Sequence, residues 1–361
     1  TGMNILNDPD RNLLYRTSPV FPFLFFHDPI TLETLVIDCP ASSSMGEGAG
    51  PMILDESAHL LYILDIARGD GIARIYAINT VDYTMADTVT LNIPPSQNPS
   101  NFGRDADGNF YVVTERSLFS LSASGAVIAK KDLPADLQFE SFVFYPEKQE
   151  SYLLFCDVPS GGLVEGIGNT LYKYGGTRLI EGGSVSFGRK AHRMTLNPLT
   201  GRLYIPNADA ATLWIVETGT MTLSSIRIGD SVEQIVAGSG GSPVYMNSRL
   251  GGSYMVSYDP DTGTAEEFTA GTWPIPMEIS DDGSRLYVCN AWEGTLSIFQ
   301  TAPERSLLGT IDLTVPPGST DRLPDLAIDD AHKFAYVAYP EHHQIDMVNL
   351  STFSSLGTLD I

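Results

Sequence analysis

The stretch 192-HRMTLNPLTGRLYIPNADAATLWIVETGTMTLSSIRIG-229 holds four short runs of alternating or apolar character, separated by turn-forming clusters. Val, Ile, Thr, Tyr and Trp suit a pleated, half-buried surface, and a two-residue apolar period is strand chemistry. Between the first two runs stands NPLTG, whose Asn, Pro and Gly close a tight hairpin through side-chain-to-backbone bonds and left-handed backbone. The segment therefore reads as four antiparallel strands, A to D, with B at RLYIPN, C at TLWIVE and D at LSSIRIG.

The pattern recurs along the chain. An apolar–Tyr strand signal stands at Tyr15, Tyr62, Tyr111, Tyr152, Tyr204, Tyr245, Tyr287 and Tyr336, at intervals of 47, 49, 41, 52, 41, 42 and 49 residues. Turn clusters such as NDPDRN, DESAH, DADGN, YPEKQE, SDDGS and IDDAHK precede most of these tyrosines, and C and D candidates follow each one. In the fourth unit, for example, C is TLYKYG and D is TRLIEG. Four strands in a period of roughly 40 to 50 residues are the signature of a propeller blade.

The expected fold is all-β: one propeller domain, 1–361, of four-stranded antiparallel blades, with eight blades and seven plus an appended hairpin as the alternative. The blades fall near 1–40, 49–93, 99–134, 139–184, 190–229, 232–270, 274–314 and 323–361. No amphipathic 3.6-residue stretch competes with this reading.

The units 192–229 and 276-PMEISDDGSRLYVCNAWEGTLSIFQ-300 resemble the YVTN-type β-propeller repeat, whose blades carry a turn, an LYVTN-like strand and a second apolar strand. The likeness is good in the fifth and seventh units, fair in the second and eighth, and loose elsewhere. It implies the fold but no single activity, because that family spans surface proteins, lactonases and subunits of redox complexes.

Composition removes several classes. With 21 basic against 44 acidic residues the net charge is −23, which repels nucleic acid and anionic membrane surfaces and suits a basic protein partner such as many cytochromes. No apolar run is long enough to span a membrane as a helix. Cys39, Cys156 and Cys289 lie more than 100 residues apart, without the spacing of a disulfide framework, a zinc site or a haem site. From the six lysines, the acidity and the habits of the resembled family, the expected location is the periplasm or the cell exterior, and a leader removed before the numbering begins is part of that expectation. There is no G-x-S-x-G elbow and no tryptophan–aspartate, kelch or sialidase signature.

In propellers the B–C loops and D–A connections share one face, and ligands usually bind there. On that face the sequence offers 188-GRKAHR-193, where Arg189, Lys190, His192 and Arg193 could hold an anion or polarise a carbonyl. In a lactonase-like hydrolase or isomerase, His192 would act as acid or base, and Arg189, Arg193 or Arg322 would stabilise an enolate or carboxylate. Trp273 in GTWPIP and Trp292 in NAWEG belong to the D–A and B–C connections of one blade, with Glu293 beside them. They could stand together as a stacking surface for a carbohydrate.

His342 lies in 341-EHH-343, but adjacent histidines on an extended chain point to opposite sides, so a metal site is not expected there. No cofactor is expected. The nearest approach to a Ca2+ loop, 105-DADGN-109, lacks the downstream glutamate and fits an A–B turn instead. The paired aspartates of 280-SDDGS-284 fall in the same turn slot. The leading expectation is a non-enzymatic binding or scaffold propeller with a protein partner. The hydrolase and the carbohydrate module are the alternatives.

Overall fold

The computed structural model describes residues 5–8, 11, 13–17, 23–28, 34–38, 49–65, 72–95, 97–157, 168–188, 191, 193–207, 211–229, 232–238, 243–248, 252–280, 282–302, 304–314, 324–339, 342 and 344–360. The chain folds as an all-β propeller of four-stranded antiparallel blades. Its 32 described strands form eight four-stranded sheets in chain order, spanning 5–38, 49–90, 99–132, 137–187, 195–227, 232–269, 274–312 and 325–360. Among the described residues no sheet has fewer than four strands, and the only helical element is a 3-10 turn at Pro146–Lys148. No helix among them is long and apolar enough to cross a membrane.

Each of the eight repeat tyrosines lies in the second strand of its own sheet, and all eight are buried. The reason is packing between sheets. Tyr204 of the fifth sheet joins Ile235, Met246 and Tyr258 of the sixth in one core cluster. Tyr245 of the sixth joins Met277, Val288 and Phe299 of the seventh, and Tyr287 of the seventh joins Leu326 and Val337 of the eighth. A large flat ring fills this space. Tyr287 donates to Asp330 at 3.3 Å, and burial, reinforced by that carboxylate, raises its phenol.

The fourth strands are mostly exposed, as in Thr222–Arg227, whereas the third strands are largely buried, as in Thr295–Gln300. Outer strands of this kind carry unpaired backbone edges, and register breaks in several of them interrupt a flat, pairable edge.

The chain divides into two compact units, Thr1–Leu153 with Tyr172–Gly183, and Leu154–Leu171 with Ser184–Ile361. In the first, the second and third sheets share a core around Ile75, Phe102, Phe110 and Val112, and Arg104 lies over the Tyr62 ring at 4.5 Å. In the second, the fifth to eighth sheets pack pairwise through the clusters just described.

One expected strand is displaced. The fourth strand of the fourth sheet is Ile180–Phe187, not TRLIEG at 177–182. Gly176 and Leu179 take left-handed backbone, and the Leu179 N–H bonds the Gly176 carbonyl at 3.0 Å, so residues 176–179 make the hairpin turn. That sheet thus ends at 187 rather than 184, and the next begins at Thr195 rather than 190.

Candidate functional site: an aromatic corner on the seventh sheet

The seventh sheet consists of Pro274–Ile279, Arg285–Asn290, Thr295–Gln300 and Ser306–Asp312. Pro274 pairs with Asn290, and Asn290 with Thr295, so the connection entering the sheet and the turn between its second and third strands meet at one end. Ile279 pairs with Leu286 near the other end, where the turn at Ser280–Arg285 lies. Trp273 and Trp292 therefore share an end, as the repeat implies.

Asn290 organises that end. It is fully buried, its Oδ1 accepts the Gly271 N–H at 2.9 Å, and its Nδ2 donates to Thr295 Oγ1 at 2.9 Å and Ser297 Oγ at 2.8 Å. Its backbone carbonyl takes the N–H groups of Glu293 at 3.0 Å and Gly294 at 2.9 Å. Gly271 is a packing requirement here, since a Cβ at this position would fall 2.5 Å from Asn290 Cγ and collide with Glu293 Oε2 as well.

Glu293 ties the two connections together. Its Oε1 accepts the Thr272 N–H at 2.9 Å and the Thr272 hydroxyl at 2.7 Å. The Thr272 carbonyl receives the Trp292 N–H at 3.3 Å, and the Trp273 carbonyl receives the Ala291 N–H at 2.8 Å. Trp273 is held in left-handed backbone, φ 56°, with its own N–H on the Gly252 carbonyl at 3.2 Å. A bulky residue adopts this region only when its surroundings impose it. The outcome is two indoles with centroids 6.0 Å apart and planes at 86°, Trp273 half-buried and Trp292 45% exposed. The corner offers two indole rings, one of them nearly half open to solvent, beside a fixed carboxylate. It holds a stacking surface and an acceptor.

The other sequence candidates fare differently. Arg189, Lys190, His192 and Arg322 lie outside the described residues, as do Asp281, Glu341 and His343. Arg193 is described and exposed. His342 is exposed, with its ring centroid 6.5 Å from that of Tyr339. Among the described residues no hydrogen bond, ion pair or ring contact joins Arg193 or His342 to the tryptophans. At 105-DADGN-109 the Asp105 carboxylate is taken up by the N–H groups of Asp107 and Asn109, the Asn109 amide and the Tyr111 hydroxyl, at 2.8–3.1 Å. Asp282 accepts Ser280 Oγ at 2.7 Å and the Ser284 N–H at 2.9 Å, which is hairpin closure.

Sequence reasoning missed a buried polar group between the seventh and eighth sheets. Cys289 is fully buried, and burial pushes its thiol up to about 12 against a smaller opposing effect of Tyr339, with the Asp346 carboxylate adding to the rise. A thiol so raised is no nucleophile at neutral pH. Asp346 is itself fully buried and accepts the Thr314 N–H at 2.8 Å as well as the Thr314 hydroxyl. The signal was a carboxylate inside QIDMVN, at the position that Ser297 fills in the preceding unit.

Comparison with known proteins yields fold relatives only. No family model and no curated protein matches the chain. The solved structure of apo AztD from Citrobacter koseri aligns with a TM-score of 0.68 at 14% identity, over 97% of this chain and 94% of that one. The C-terminal WD40 domain of Sif2 gives 0.64 at 14% identity, over 93% of each chain. Dihydro-heme d1 dehydrogenase NirN in complex with DHE gives 0.62 at 14% identity, over 85% of this chain and 65% of that chain. The likeness is one of fold.

Proposed function

We propose that this chain is a non-enzymatic, extracytoplasmic binding propeller that engages a protein partner, as a scaffold or a subunit of a larger redox or surface assembly. The observation that carries the reading is the Trp273–Trp292 corner, an aromatic pair with the Trp292 ring exposed, held by a backbone network and by Glu293. Tryptophan is over-represented among the residues that dominate protein interfaces, where it anchors a desolvated contact. The net charge of −23 favours a basic partner, and the likeness of the repeats to the YVTN type supports a place outside the cytoplasm. The same reading takes residues 1–361 as one propeller domain, supported by equal strand number in eight consecutive sheets.

The lactonase-like alternative depends on His192 with Arg189, Arg193 or Arg322, of which only Arg193 is among the described residues, where it is exposed. The carbohydrate alternative would use the same two tryptophans. Size-exclusion of a native extract followed by mass spectrometry tests the proposal: the chain should run in a complex whose partner is lost on Trp292→Ala. A chain that always runs alone as a monomer would sink it, and a strong glycan-array signal would transfer the corner to the carbohydrate reading.

A further inference from the structure

Resting on the reading of the Trp273–Trp292 corner as a protein-binding site, we infer that its occupant is cationic: the guanidinium of an arginine carried by the partner. The chemistry favours a small flat cation over a sugar. The two indoles form an edge-to-face pair at 86° and 6.0 Å, with the Trp292 ring 45% exposed. A guanidinium covers about the area of a single ring, and its charge is drawn to the Glu293 carboxylate as a neutral sugar is not. Indole faces carry negative quadrupolar charge and attract cations.

A carboxylate belongs to the same two connections as the indoles. Glu293 Oε1 is occupied by both Thr272 donors, which fixes the group beside the indoles, and among the described residues no Lys or Arg forms an ion pair with it. Arginine is preferred to lysine because its planar, weakly hydrated head stacks on an aromatic face and can still donate sideways to a carboxylate.

The molecule uses this arrangement with arginine twice to fasten neighbouring sheets, and with lysine at Lys131, which lies 5.5 Å over the Tyr174 ring and 3.0 Å from Glu181. Arg305 lies over the Phe268 ring at 4.0 Å, donates to Ser257 Oγ at 2.5 Å and stands 3.7 Å from Glu266. Arg104 lies over the Tyr62 ring at 4.5 Å and pairs with Asp55 at 2.7 Å. Each site combines a ring, a carboxylate and a cationic side chain. The corner at Trp273, Trp292 and Glu293 presents the ring and the carboxylate, and no described arginine lies over either indole.

The test reads the indole N–H resonances by NMR, with Trp214 of the fifth sheet as an internal reference, since the chain has three tryptophans. The probe is N-acetyl-arginine amide, with tetramethylammonium and cellobiose as comparators. The Trp273 and Trp292 signals should shift saturably with the arginine probe while Trp214 stays still. Trp292→Ala should weaken the effect on Trp273 about threefold to thirtyfold, the range of a cation–π contact, and Glu293→Gln should weaken it several-fold. No shift, an equal response to cellobiose, tighter binding of tetramethylammonium, or an undiminished response in Trp292→Ala would each overturn the inference. A partner retained by Trp292→Ala would overturn it too and leave the partner reading intact. Arginine binding by a chain that runs only as a monomer would support the corner's chemistry and sink the partner reading.

Discussion

The two ends of the seventh sheet solve the same problem with different results. At the turn end, Asp282 accepts Ser280 Oγ and the Ser284 N–H, while Ser280 Oγ accepts the Arg285 N–H at 2.8 Å. The side-chain bonds of Asp282 and Ser280 close one hairpin on itself, and Thr301 adds bonds to the Gly283 and Ser284 carbonyls at 2.6 and 3.0 Å. At the other end, Glu293 also accepts one backbone N–H and one hydroxyl, but both belong to Thr272, in a different connection. An acid that bonds its own turn makes a stop, and one that bonds across two connections builds a platform. Only the second leaves large aromatic surface in water.

Replacing what the two ends share should have the largest effect. Tyr287→Ala empties a fully buried ring site between the seventh and eighth sheets and should cost about 3–5 kcal/mol, read as a lower midpoint in urea. Tyr287→Phe keeps the ring and removes the bond to Asp330, and should cost about 1 kcal/mol. A loss below about 1 kcal/mol for the alanine variant would show that the ends do not depend on a common frame.

Gly271→Ala comes next and separates the ends. The added methyl meets the pinned Asn290 side chain, so about 1–3 kcal/mol of overpacking is expected. The Trp273 and Trp292 indole signals should move in this variant while amide signals of residues 282–285 stay in place. Movement at both ends would break the distinction between platform and stop.

The fold was legible because its signals are local and repeated: a turn cluster, then a tyrosine that must be buried. TRLIEG was misassigned because Gly176 and Leu179 supply a left-handed turn that apolar patterning does not reveal. The proximity of Trp273 and Trp292 followed from strand order alone. The Glu293–Thr272 tether and the left-handed backbone at Trp273 did not, since both arise from contacts between segments that no local pattern encodes. Asp346 was overlooked for a related reason, because one carboxylate in an apolar run reads as an exposed position until its donors are known.

Asp282 gives a smaller, pH-dependent effect. The hydrogen bonds of Ser284 and Ser280 hold its carboxyl down at about 2, below the ordinary value of about 3.9. A depressed carboxyl stabilises the fold above its unfolded value and loses that contribution as pH falls through the folded one. The stability gap between the native chain and Asp282→Asn should therefore be constant above about pH 4 and shrink between about pH 4 and 2. Because the side chain is exposed, the gap should be only about 0.5 kcal/mol. A gap that stayed flat down to pH 2 would remove the carboxylate's charge from the account of the turn.

Trp292→Ala should perturb stability least. Its indole is 45% exposed, and the backbone bonds that hold the corner run through Asn290, Thr272 and Ala291 rather than through that ring. The expected change is within about 0.5 kcal/mol. Trp273→Ala should cost more, because that ring is half-buried and its backbone is already held in an unfavourable region. Urea midpoints of the two variants decide the matter. If Trp292→Ala proved the more damaging, the indole would be a structural wedge, and its exposure would be incidental rather than the mark of a binding surface. If it leaves the midpoint unchanged yet releases the partner, then the ring's surface is kept for something outside the chain.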